Sequence, residues 1–145
     1  MRIFIDADGC PVVDVTIDVA KRFGLDCVII CDTSHVFERE GVQTITVDKG
    51  ADQVDFKLVN MLDAGDIVIT QDYGLAAMCL ARRAIPISQN GLMFHEGNMD
   101  GLLMKRDIAR KVRKAGGRMR GPAKRTKEDD QRFEFALVAA LRARI

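Results

Sequence analysis

Tryptophan is absent from this chain and tyrosine occurs once. With its phenylalanines read as buried, the chain offers no cluster of exposed rings as a platform for stacked bases. No apolar run approaches the ~18 residues that span a bilayer, which excludes a membrane anchor of that kind. The N-terminus lacks a basic stretch ahead of a long apolar one, so a secretory leader is not expected. A cytoplasmic location with reduced thiols follows as the default. The four cysteines, at 10, 27, 31 and 79, form no Cys-x-x-Cys, and His35 and His95 stand alone. Zinc-ligand spacing is therefore missing. Cys27 and Cys31 read as small buried hydrophobes on one face of a strand.

What is present suffices for one domain. The chain has 145 residues, 48% of them hydrophobic, the usual scale of a single core. Its net charge of +1 conceals a division. Residues 1–100 carry 8 Lys/Arg and 16 Asp/Glu, a balance of −8, while residues 101–145 carry 14 and 5, a balance of +9. An acidic body with a basic C-terminal third suits a polyanion held near a metal. Simple segregation of surface charge is the alternative.

Strand-like and helix-like segments alternate along the chain. Residues 2–6 read as a strand. A helix follows, opened by Pro11, striped by Val13, Ile17 and Ala20, and closed at Gly24. Residues 27–31 and 44–47 read as strands, 51–64 as a helix and 67–70 as a strand. Asp72 opens a helix to about Arg83, and Pro86 pushes the short strand 84–88 towards an edge. From about residue 98 the pattern is helical. Asn98 is expected to cap a helix reaching Ala115. Residues 116–127 are glycine-rich and basic, and Thr126 with Asp129 resembles a capping box for a last helix. This order predicts a single α/β domain, a three-layer sandwich with a mostly parallel central sheet and a helical C-terminal third. Right-handed crossovers place the first strand centrally, beside the one ending at Thr70.

Acids sit where such a sheet brings them together. Asp6 and Asp8 follow the apolar run Ile3-Phe4-Ile5, and Asp72 follows Ile67-Val68-Ile69-Thr70. Open α/β sheets bind ligands at the carboxyl ends of their strands. Clustered carboxylates repel unless a hard cation such as Mg²⁺ or Mn²⁺ joins them. Asp6 reads as a ligand. Asp8 reads equally as a ligand or as a cap on the helix after Pro11, and Gly9 allows the chain to turn there. Asp52 and Asp55 share a helix face, either as ligands or as acids complementing the helix dipole; Asp48 is a weaker candidate. Thr70 is placed to hydrogen-bond a ligand carboxylate or a metal-bound water. Asp72 can be ligand and cap together. Asp66 begins its strand and belongs to the opposite edge. Arg106, Arg110 and Arg113 share a helix face and, with Arg118, Arg120, Lys124 and Arg125, could grip phosphates. A solvated face is the bland alternative.

The segments Asp6-Ala-Asp-Gly-Cys-Pro-Val12, Gly50-Ala-Asp-Gln-Val-Asp55, Gly65-Asp-Ile-Val-Ile-Thr-Gln-Asp-Tyr-Gly-Leu-Ala76 and Gly121-Pro122 together resemble the YaiI/YqxD family of uncharacterised bacterial proteins, over nearly the whole chain. That family resembles in turn the PIN-like and NYN nucleases. The resemblance implies one PIN-like, Rossmann-like domain over residues 1–145. It also implies Mg²⁺- or Mn²⁺-dependent cleavage of RNA, with Asp6, Asp52 (or Asp55) and Thr70/Asp72 as site residues. The metal ligands expected are Asp6, Asp52 and Asp72, with Asp8 and Asp55 beside them. Two other readings stand: a non-catalytic RNA-binding or ion-binding module, and a haloacid-dehalogenase-like phosphatase. The latter would take Asp6 as nucleophile, Asp8 as acid/base and Asp66 as its late acid.

Overall fold

Alternation along the first strand decides the layers. In β1 (Arg2–Asp6), Ile3 and Ile5 enter one core while Phe4 enters another. Asp6, two residues beyond Phe4, therefore emerges on Phe4's side. The computed structural model describes residues 1–117 and 123–144. The elements that follow are α1 (Val13–Arg22), β2 (Asp26–Asp32), β3 (Gln43–Val47), α2 (Gln53–Met61), β4 (Ile67–Ile69), α3 (Tyr73–Ala81), β5 (Ile85–Ile87), α4 (Glu96–Lys114) and α5 (Lys127–Arg142). The fold is α/β. Its five strands form one sheet in the order β3-β2-β1-β4-β5, every pair parallel. The expected central position of the first strand is met.

Helices cover both faces. On one side, Ile3, Ile5, Ile29, Ile67 and Ile69 pack with Val13 and Ile17 of α1 and with Phe133 and Leu137 of α5. On the other, Phe4, Val28, Ile30 and Val68 pack against Leu58 of α2 and Leu75 and Cys79 of α3. Strands buried on both faces read as continuous apolar runs, which is how Cys27 to Cys31 read. Met99 of α4 and Phe94, just ahead of that helix, pack with Ala76 of α3 in a small third cluster. The stripe on the final helix is core, with Phe133 and Leu137 fully buried.

The strand order reverses direction between β1 and β4. That switch point opens a crevice at the carboxyl edge of a parallel sheet, because the two crossovers leave in opposite directions. One crossover lacks a helix: residues 33–42 carry the chain from β2 to β3 as a loop, with Phe37 and Val42 packed on the α1-side core. At the opposite edge Asp66 is buried. It accepts the Arg2 amide (2.9 Å), the Arg2 guanidinium (3.2 Å) and the Asp63 amide (2.8 Å).

Two helix starts differ from expectation. α4 begins at Glu96, because His95 rather than Asn98 is the cap. His95 Nδ1 accepts the Gly97 amide, and the Asn98 side chain accepts the His95 amide in return. α1 begins at Val13 with no side-chain cap, so Asp8 does not serve that role. Thr126 and Asp129 do form a capping box on α5.

Candidate active site

Three elements deliver carboxylates to the switch-point crevice. β1 ends at Asp6. β4 runs on to Thr70, whose amide bonds Ile87 of β5 at 3.1 Å and whose side chain is buried. The Thr70 hydroxyl donates to Asp6 Oδ2 at 2.8 Å and accepts the Asp72 amide at 3.0 Å. Asp72 is the N-cap of α3, its Oδ1 accepting the Leu75 amide at 3.0 Å. One of its oxygens thus serves the helix and the other is left for the crevice. α2 brings Asp55. The resulting cleft of about 440 Å³ is lined by Asp6, Asp8, Asp55, Thr70, Asp72 and Gln89, among others.

The acids are crowded enough to alter one another. Burial pushes the Asp6 carboxyl up from the ordinary 3.8 to about 6; the Thr70 hydrogen bond opposes this, and the charges of Asp55, Asp72 and Asp8 add to it. Asp55 is likewise raised to about 6, first by burial and then by Asp72 and Asp52. Burial first and the neighbouring carboxylates second disfavour the charged forms of these acids, and a bound cation would relieve both.

Asp52 sits apart. It occupies the N-cap position of α2 with φ 65° and makes no capping bond, and its side chain is exposed rather than lining the cleft. Of the two acids on this helix, Asp55 is the one facing Asp6. Asp48 is exposed outside the cleft as well.

Asp8 does turn towards the cleft, through Gly9 at φ 73°, where a side chain would strain the backbone. Its carboxylate also looks the other way. Oδ2 accepts the Asp32 amide at 3.0 Å, and His35 Nδ1 lies 2.7 Å from Oδ1. That approach is off the line of a hydrogen bond, so buried Oδ1 has close company without a donor. Asp32 in turn accepts the Ser34 amide and hydroxyl, which hold its carboxyl below the usual range, with a smaller contribution from His35. One ligand atom each from Asp8, Asp32 and His35 falls within 4.8 Å of the others, a mixed oxygen and nitrogen set able to hold a divalent ion. Asp32 and His35 escaped the sequence reading. Asp32 follows the apolar run of β2 as Asp6 follows that of β1, so the same rule would have found it. His35 carries no such signal, and neither does Gln89.

The basic residues divide. Arg106 lies beside Asp72 in a second groove, and Arg110, Arg113 and Lys124 are exposed. Arg125 is committed inside the protein, donating to Asp130 at 2.7 Å, Asn90 at 3.0 Å and the Gln89 carbonyl at 2.8 Å. It ties the start of α5 to the loop after β5 instead of presenting its charge outward. Arg118, Arg120 and the Gly121-Pro122 pair lie outside the described residues.

Residues 4–143 match the model of the family described as "Uncharacterized BCR, YaiI/YqxD family". The chain belongs to the YaiI/YqxD family. Relatives of this family, each known as a UPF0178 protein, are similar end to end. That of Exiguobacterium sibiricum is 52% identical over 92% of both chains. That of Ruminiclostridium cellulolyticum is 49% identical over 95% of this chain and 90% of its own. That of Enterococcus faecalis is 41% identical over 95% of both. Among solved structures, Rae1 (YacP) from Bacillus subtilis aligns over 96% of this chain and 99% of its own, with 16% identity and a TM-score of 0.47.

Proposed function

We propose that this member of the YaiI/YqxD family is a divalent-metal-dependent nuclease that hydrolyses RNA phosphodiesters. The observation that carries the reading is that Asp6, Asp55 and Asp72 line one cleft at the switch point, with two of the three carboxyls raised to about 6. Burying acids against one another is costly unless something positive is shared between them. All-oxygen donors suit Mg²⁺ or Mn²⁺.

Asp6, Asp55 and Asp72 would hold the ion, with Asp8 beside them. Asp52 would shape the field from the end of α2. A bound ion would neutralise the phosphate and lower the pKa of an attacking water. The chain's own groups do the positioning. Thr70 fixes the rotamer of Asp6, and the capping bond to Leu75 fixes Asp72. Arg106, Arg110, Arg113 and Lys124 supply positive charge for the flanking phosphates, together with Arg118 and Arg120 by their sequence.

One observation favours a second reading, an ion-binding module. Asp8, Asp32 and His35 make a compact donor set at the rim of the cleft, joining the β1 turn to the β2–β3 loop. The phosphatase alternative lacks its late acid, since Asp66 is spent on Arg2 and the Asp63 amide at the far edge of the sheet. Among the described residues no helix is long and apolar enough to cross a membrane. The deciding experiment incubates mixed single-stranded and structured RNAs with the protein and Mn²⁺, Mg²⁺ or chelator. Metal-dependent cleavage that disappears in Asp6→Asn supports the nuclease. Intact RNA under every condition ends it.

A further inference from the structure

A groove of about 770 Å³ adjoins the acidic cleft and differs from it in character. Gln71 and Asp72 line both, so the two hollows are neighbours that meet at these residues. The far side of the groove is formed by Tyr73 from the first turn of α3 and by Lys105, Arg106, Ile108 and Ala109 from α4. Its lining is apolar around an aromatic ring, with two cations at the margin.

The ring is held in place. Tyr73 meets Phe94 edge-on, with centroids 5.7 Å apart and planes at 64°, and Phe94 is itself buried. Ile108, which lines the same groove, is 53% exposed, an apolar side chain left open beside the basic residues of α4. The carboxylate of Asp107 lies 4.0 Å from Arg106 Nε, but both side chains are exposed, and a pair of that kind holds little of the guanidinium's charge. Arg110 and Arg113 continue the Arg106 stripe along α4 by helical spacing.

A polyanion entering an acidic cleft needs positive charge close by, and here it stands next to a fixed aromatic ring. Nucleotides combine those two requirements, a flat apolar base and an anionic phosphate. An apolar peptide would have no use for the cations. A base inside a duplex cannot offer its face.

We propose that this groove is a nucleotide subsite. One unpaired base of the RNA stacks on Tyr73, its phosphates pair with Lys105 and Arg106, and the adjoining phosphodiester lies in the acidic cleft. The inference rests on the nuclease reading for its register with the cleft, and on the groove alone for its ligand.

The chain tests the idea through its own emission, because Tyr73 is its single tyrosine and it has no tryptophan. The probe is a short single-stranded oligoribonucleotide, titrated in chelator so that binding is read without cleavage, beside the same strand made abasic. Saturable quenching of tyrosine emission is expected with the full strand and not with the abasic one. Tyr73→Ala should weaken binding about tenfold, while Tyr73→Phe, which keeps the ring and its packing on Phe94, should bind as wild type does. Lys105→Glu with Arg106→Glu should lower affinity and flatten its dependence on salt. Binding with unchanged tyrosine emission, or equal affinity for the abasic strand, overturns the subsite. Restoring Mn²⁺ separates the two claims. Cleavage without quenching removes the subsite and leaves the nuclease; quenching without cleavage in Mn²⁺ or Mg²⁺ removes the nuclease and leaves a nucleotide-binding groove. No binding of any strand at low salt removes both.

Discussion

Thr70 and Asp6, 64 residues apart in sequence, are joined by a 2.8 Å hydrogen bond across neighbouring strands. The same hydroxyl receives the Asp72 amide, so one buried side chain sets the position of two acids.

Thr70→Val should therefore act on Asp6 and on the fold together. Losing a buried bond to a carboxylate costs about 1–3 kcal/mol. The bond also opposes the upward push of burial on Asp6, so its loss should move that carboxyl further up. Thr70→Ser keeps the hydroxyl and should restore both. Urea unfolding reads the first effect and carboxyl-carbon NMR titration the second. An Asp6 titration unchanged in Thr70→Val would show that the bond does not govern its charge.

Metal-free stability should decline between about pH 4 and pH 6. Asp6 titrates near 6 in the fold, against an ordinary 3.8 when unfolded. In that interval the folded state binds more protons, so its stability falls as pH rises. The contribution is fully present below about 4 and lost above about 6, on the order of 2–3 kcal/mol for Asp6. Asp55 has the same sign and more contact with solvent. Thermal melts of wild type and Asp6→Asn across this range check it: the variant should show the flatter profile.

Mn²⁺ should reverse that loss at neutral pH. Asp6→Asn and Asp55→Asn relieve repulsion, so their metal-free melting temperatures should equal or exceed that of wild type. Both should lose most of the Mn²⁺-induced rise. Asp52→Asn, on an exposed side chain outside the cleft, should keep it. Equal stabilisation of wild type and Asp6→Asn by Mn²⁺ takes Asp6 out of the ligand set.

The arginines should separate into two kinds. Arg125→Met removes three donors from Asp130, Asn90 and Gln89 and should destabilise by about 1–3 kcal/mol. Arg106→Glu, Arg110→Glu and Arg113→Glu should each leave the melt within about 0.5 kcal/mol of wild type. The triple variant should bind RNA more weakly, with a shallower slope of affinity against salt. Stability and binding changing in the same variant would contradict this division.

The fold was legible because its signals are local. Apolar runs such as Ile67 to Ile69 announce strands buried on two faces, and Gly24 follows the cap of α1 with positive φ, whereas α2 stops at Met61, short of Gly65. Asp6 and Asp72 were readable as strand-end acids. Choosing between Asp52 and Asp55 was not, because the helix starts one residue after Asp52, which lies in a left-handed conformation that no spacing rule anticipates. The partnership of Asp8 with His35 depends on a helix-free crossover folding back over the sheet edge, and the place of Tyr73 on the docking of α4. Both are tertiary facts. Arg125 looked like its basic neighbours until its partners were known.

The Arg2–Asp66 contact has a practical consequence. It fastens the first strand at the amino edge of the sheet, and about 13 Å of extended chain then separates Arg2 from Asp6. An affinity handle joined ahead of Met1, which is 45% exposed, leaves from the side opposite the acidic cleft. Molecules immobilised through that handle would hold the cleft towards the bulk solution, so surface-based measurements of strand capture would sample an unobstructed mouth.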